Sequence, residues 1–200
     1  MTGTTFHWQR KDITPRLLMA VGAVTLQWAM IDAEITKMVQ LFWFRQNPNR
    51  PPPRSFDRRI KNLLVFAATL YTDEPDEHLV FKWYAQRLKT ANGLRDDITH
   101  GIPGKITKSS HTYDGLMVPK PSGSTKYVPM KVGDIESLAH ELTELHRETI
   151  EVSGALWAAQ AASSPDIKVW QDRGAWTRLT KDNRSPMLPR WNPPPPTFQG

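Results

Sequence analysis

From the Thr14-Pro15 pair to Gln46 the chain carries one unbroken helical stripe. Val21, Val24, Trp28, Ile31, Ile35, Met38 and Phe42 follow one another in steps of 3, 4, 3, 4, 3 and 4. That spacing matches the turn of an α-helix and places all seven side chains on one face. So long an apolar face must be covered by other elements, which commits the chain to a mainly helical core. Thr14 caps the start, and Pro15 sits at the first helical position, where its missing N–H is no loss. The proline run Pro51-Pro52-Pro53, after Asn47-Pro48-Asn49-Arg50, ends the helix. Arg10, Lys11 and Arg16 before Leu17–Val24 give the outline of a short signal peptide, but the stripe continues in register past any cleavage point. Gln27, Asp32, Glu34 and Lys37 interrupt the run of about 20 apolar residues that a membrane span needs. The expectation is a buried helix and no membrane association.

Three further helices follow by the same reading. Ser55 caps a stretch of about 56–72 whose stripe holds Phe56, Ile60, Leu63, Leu64 and Ala67. Asp73-Glu74-Pro75 opens a third helix with carboxylates at its positive end. Its buried side carries Val80, Trp83, Tyr84, Leu88, Ala91, Leu94 and Ile98, and it stops at Gly101 with Pro103 beyond. Asp134 caps a fourth helix of about 135–163, lined by Leu138, Leu142, Leu145, Ile150, Val152, Ala155 and Leu156.

Residues 102–133 change character. β-leaning pieces at Lys105–Lys108, Thr112–Val118 and Lys126–Val132 are separated by the turn dipeptides Asp114-Gly115 and Ser122-Gly123. The fold class expected is mainly α: a four-long-helix up-and-down bundle with a small β-hairpin insert before the last helix. Residues 1–13 are expected to be flexible and 14–164 to form the helical domain. Residues 165–200 form a basic extension with Trp170, Trp176 and Trp191, ending in a partly disordered proline-rich tail that includes the PxxP-type segment Pro186-Met187-Leu188-Pro189.

Composition narrows the function classes. The chain has no cysteine, which excludes disulfides and thiolate metal sites and favours a reducing cytoplasm. His140 and Glu144 lie one turn apart, but a zinc-binding helix needs a second histidine where Glu144 stands, so no metal or cofactor is expected. No glycine-rich phosphate loop and no Gly-x-Ser-x-Gly elbow is present. The net charge of +6 suits an anionic partner. Its cations gather at Arg50, Arg54, Arg58, Arg59 and Lys61, and again at Lys105, Lys108, Lys120, Lys126 and Lys131. Arg58, Arg59, Lys105 and Lys108 are the candidate RNA contacts.

The segment that carries chemistry is Leu94-Arg95-Asp96-Asp97-Ile98-Thr99-His100-Gly101, at the end of the third helix. Arg95 falls on the buried stripe between Ala91 and Ile98, so its guanidinium must be paired or must line a polar cleft. Arginine can stabilise charge developing on a phosphate, and histidine can exchange protons near neutral pH. Residues five apart on a regular helix point about 140° apart. Arg95 and His100 therefore converge only if the helix breaks or the two reach across a shared groove. The same residues admit a structural role, with Arg95 paired to Asp32 or Glu34 and His100 favoured by the negative end of the helix.

This segment resembles the R-x4–6-H motif of the HEPN superfamily, in which Arg is usually followed by Asn and His often by Gly. The resemblance extends to the layout of long helices, with Trp28-Ala29-Met30-Ile31-Asp32-Ala33-Glu34 ahead of the motif. It implies a helical homodimer in which two motifs face one another. The implied activity is a metal-independent ribonuclease that leaves a 2′,3′-cyclic phosphate, often a toxin or anti-phage defence effector with an antitoxin or other protein partner. Other members are inactive modules that bind RNA, nucleotide or protein. On this resemblance Arg95 and His100 are the catalytic pair, with Asp96, Thr99 and Glu34 supporting or orienting them. The chain departs from the pattern at Asp96, where Asn is usual, and Asp97 adds a second carboxylate that would repel a phosphate unless paired.

Overall fold

The computed structural model describes residues 4–47, 49–70 and 75–163. The expected tail, with its tryptophans and PxxP segment, and the Asp73-Glu74 start of the third helix lie outside the described residues.

Four helices dominate: α1 (Pro15–Gln46), α2 (Phe56–Leu70), α3 (Pro75–His100) and α4 (Val132–Ser163). The Thr14 hydroxyl accepts the Leu17 N–H at 3.1 Å, so the cap that starts α1 is the one its sequence specifies. Of the seven stripe residues, six are buried and only Val21 is partly exposed. By length and composition Pro15–Phe44 is also apolar enough to cross a membrane, a test that a core helix passes equally.

Helix α4 begins three residues earlier than expected. Asp134 is its third residue, and its carboxylate reaches back to accept the Lys131 N–H at 2.7 Å. An acidic group near a helix start serves either as the cap or as the partner that reaches back to it, and sequence does not separate the two. Within α4, Ile150 is 51% exposed and Thr149 is buried in its place. The stripe runs Leu142, Leu145, Thr149, Val152 and Leu156, and the polar Thr149 concealed it.

The β-containing segment is larger than a hairpin. Strands β1 (Thr5–His7), β2 (Ile102–Lys108), β3 (His111–Pro119) and β4 (Thr125–Pro129) form one antiparallel sheet in the order β1-β2-β3-β4. Residues 5–7, expected to be flexible, pair with β2 in the register Thr5↔Thr107, Phe6↔Ile106, His7↔Lys105. Only a non-local partner makes so short a strand, which is why local sequence hides it. The Asp114-Gly115 turn is a second correction. Both residues lie inside β3, and the chain reverses instead at Ser109-Ser110, where both residues adopt positive φ (48° and 69°). That is the backbone of a two-residue type I′ turn, built here without glycine. Gly115 is required for space. A Cβ there would stand 2.6 Å from the Val128 carbonyl oxygen and closer still to Ile106 Cδ1.

The described chain divides into two compact units, and α1, α3 and α4 each contribute to both. One unit holds the chain up to Trp28 and from Ala91 to Thr143. Its core gathers Leu17, Val24, Trp28, Ile98, Ile106, Leu116, Ile135 and Leu142. The other holds Ala29 to Thr90 and α4 from Glu144. Its core gathers Ile31, Ile35, Met38, Leu63, Tyr84, Leu88 and Leu145, with the Phe42 and Phe66 rings stacked at 5.1 Å.

That second core also encloses charge. Arg87 Nη1 donates to the Glu148 carboxylate, and the Tyr84 hydroxyl donates to Thr149 Oγ1 at 2.7 Å. Burial holds the Glu148 carboxyl above the ordinary carboxylate range, although Arg87 and Arg147 pull the other way. Burial likewise pushes the Tyr84 phenol up.

Two measurements check this packing. Gly115→Val is expected to destabilise the protein by about 1–3 kcal/mol through overpacking. Gly93→Ala, on exposed helix with nothing near the new methyl group, is expected to add about 0.5–1 kcal/mol. Denaturant titrations give both. For Glu148, a raised folded-state pKa means a contribution present on the acid side and lost as pH rises through that value. The stability of the wild type relative to Glu148→Gln should therefore fall as pH rises through and above the carboxylate range. A flat difference refutes the assignment.

Candidate functional site

The Arg95–His100 segment is regular helix to its last residue, with α3 ending at His100. Its end is fixed by close packing, since a Cβ at Gly101 would stand 2.9 Å from Leu116 Cβ. With no break in the helix, the two side chains leave its axis about 140° apart. His100 is exposed at the terminus, and no hydrogen bond joins it to Arg95 or Asp96.

Arg95 turns inward. Its guanidinium carbon lies 5.5 Å from the centroid of the Trp28 ring on α1, and its side chain is 25% exposed. A cation over an indole face is attracted by about 1 kcal/mol. Nη1 pairs with the Asp96 carboxylate at 2.8 Å, while Nε is buried without a hydrogen-bond partner. Neither Asp32 nor Glu34 holds Arg95. Asp32 pairs with Arg59 at 2.7 Å and Glu34 with Lys37 at 2.5 Å.

The two intervening carboxylates are both neutralised. Asp96 takes Arg95 and a longer contact, 3.3 Å, from the Asn92 amide. Asp97 is 14% exposed and accepts Lys126 Nζ from β4 at 2.5 Å. The repulsion expected from Asp97 is offset by a lysine far away in sequence. Thr99 spends its hydroxyl on the Arg95 carbonyl at 2.9 Å, a local helix bond that orients no imidazole.

The candidate RNA contacts separate by environment. Arg58 is exposed, and Arg59 is committed to Asp32 and the Thr36 hydroxyl. Lys105 pairs with Asp114 across β2 and β3, and Lys108 is partly buried. Glu34 stands in the other unit from Arg95 and His100. Lys126 was missed among the site residues, and nothing in its local sequence singles it out. Among the described residues no three His, Asp or Glu side chains gather as a metal would require.

Chemically, the arrangement offers an arginine pre-oriented on an aromatic ring and partly neutralised by its neighbour, plus a solvent-facing imidazole one and a half turns on. Asp96→Asn should release the guanidinium. We expect tighter RNA binding, with log K against log salt steeper by about 0.7 for one added phosphate contact. An unchanged salt slope would show that Arg95 meets no phosphate.

No family model, curated protein or solved structure matches this chain, so a functional reading rests on these residues alone.

Proposed function

We propose that the chain is a metal-independent endoribonuclease of HEPN type. His100 serves as general acid or base and Arg95 stabilises the phosphate. The observation that carries this reading is the pairing of both carboxylates between them, Asp96 by Arg95 and Asp97 by Lys126, beside an exposed histidine. An imidazole can take the 2′-hydroxyl proton or protonate the 5′-oxygen leaving group, and a guanidinium offsets the charge gathered on the phosphate oxygens. The products are a 2′,3′-cyclic phosphate and a 5′-hydroxyl.

Because Arg95 and His100 diverge within one copy, the site is read as composite. Arg95 of one copy and His100 of a second act on the same phosphate in a homodimer. Leu18, Met19 and Leu26 on α1 are 60–69% exposed, leaving apolar surface that the unit's own core does not use. The four helices are read as an up-and-down bundle, and the biological role as a cytoplasmic toxin or defence effector with an antitoxin or other protein partner.

A second reading has its own support. Arg95 is already satisfied in part by Asp96 and Trp28, as in a non-catalytic helical dimer that binds RNA, nucleotide or a protein partner. Complementation separates the two. Arg95→Met and His100→Ala proteins should each be inactive on RNA. Mixed in equal amounts and allowed to exchange subunits, they should recover about a quarter of wild-type activity, since half of the dimers carry one intact site. Loss of cleavage in both single variants without recovery rejects the composite site. Cleavage that survives His100→Ala rejects catalysis by His100.

A further inference from the structure

The basic segment at the start of α2 is reorganised by the fold in a way that changes its use. Five cations fall between Arg50 and Lys61, with Asp57 as the one carboxylate among them. The structure removes Arg59, whose side chain turns in to Asp32 and Thr36. The other four, Arg50, Arg54, Arg58 and Lys61, are all exposed. None of the four forms an ion pair among the described residues. Elsewhere some exposed cations are matched: Arg16 to Glu136, Lys37 to Glu34, Lys105 to Asp114, Lys126 to Asp97 and Arg147 to Glu144. Others, such as Arg10, Lys11, Lys82, Lys89, Lys120 and Lys131, are exposed without an ion pair but lie scattered along the chain. Four unpaired cations within residues 50–61 make this stretch the densest run of uncompensated positive charge among the described residues.

Its backbone is also constrained. Pro51, Pro52 and Pro53 fix φ and favour an extended path. The Trp43 indole N–H donates to the Arg50 carbonyl at 2.9 Å, tying that path to the end of α1. Arg58 and Lys61 then stand three residues apart on one side of α2. Four cations spaced every three or four residues along such a path make a track for a linear polyanion, and little ordering remains to be done on binding. Trp43, hydrogen-bonded to the Arg50 carbonyl, is partly exposed, and Phe44, next to it in the chain, is 49% exposed. Cations that follow a backbone next to rings that accept stacked bases are how proteins hold single-stranded nucleic acid.

We propose that Arg50, Arg54, Arg58 and Lys61 form a binding track for single-stranded RNA, with Phe44 as a stacking ring. The track lies in the unit that does not contain Arg95 and His100. It deepens the ribonuclease reading by naming the form of its substrate, and it can fail separately. The test is fluorescence anisotropy of a labelled, unstructured RNA of about 20 nucleotides, titrated with full-length His100→Ala protein so that cleavage does not interfere.

Adding Arg54→Gln and Arg58→Gln is expected to weaken binding at least about tenfold near 100 mM salt and to lower the salt slope by about 1.4, at 0.7 per lost phosphate contact. Phe44→Ala should weaken binding while leaving the slope unchanged. Arg16→Gln, which removes a paired cation in the other unit, should do neither. Melting curves confirm that each variant is folded. The proposal is overturned if the Gln pair leaves affinity and slope unchanged, or if a duplex of equal length binds as tightly. It is also overturned if the same substitutions abolish binding to phosphatidylserine vesicles but not to RNA, which would make the track a membrane contact. Cleavage lost in otherwise wild-type His100→Ala with the track intact separates the catalytic reading from this one.

Discussion

Helix α1 has to be covered, and the remaining elements are arranged around that need. Its stripe is buried from Val24 to Phe42, supplying core residues to both compact units. At about 25 cal/mol per Å² of apolar surface removed from water, a stripe of this kind outweighs any single ion pair in the molecule. Trp28 illustrates the consequence. It is almost fully buried as part of the stripe, and its ring also seats the Arg95 guanidinium. One side chain thus serves the core and positions the candidate site.

Charge is arranged around that core by one recurring device, a cation and a carboxylate from different elements. Arg59 on α2 meets Asp32 on α1, Arg87 on α3 meets Glu148 on α4, and Lys126 on β4 meets Asp97 on α3. These pairs differ in worth. The exposed ones contribute little, whereas the Arg87–Glu148 pair is costly to break from one side because its partner would be left charged and buried. Its raised carboxyl shows that desolvation outweighs the attraction of the two arginines. The pair is better understood as fixing how α3 meets α4 than as a source of stability.

The same accounting separates the candidate functional groups. The carboxylates nearest the candidate groups, Asp32, Asp96, Asp97 and Asp114, each have a cation. Arg59 and Lys105 are thereby paired, whereas His100 is exposed and Arg50, Arg54, Arg58 and Lys61 stand together without an ion pair. Arg95 lies between the two groups, held by Trp28 and Asp96 with its Nε left without a partner.

Helix existence and the α1 boundaries were legible in the sequence because period and caps are local properties, as Thr14, Pro15 and the buried stripe show. The position of Arg95 on a buried face was legible for the same reason. Arg87 could have been read likewise, since it follows Val80 and Tyr84 in the stripe that leads to Ala91. The β1 strand, the Ser109-Ser110 turn and the space requirement at Gly115 were not, because each depends on a partner strand. The identity of the partners was equally hidden. Only the tertiary structure gave Asp32 to Arg59 instead of Arg95, and Lys126 to Asp97. The sequence by itself determined that this chain is helical, basic and equipped with an arginine and a histidine at one helix end, since periodicity and composition act over a few residues. Which charges are cancelled and which stay unpaired was decided only by the tertiary structure, because that depends on distances between residues far apart in the chain.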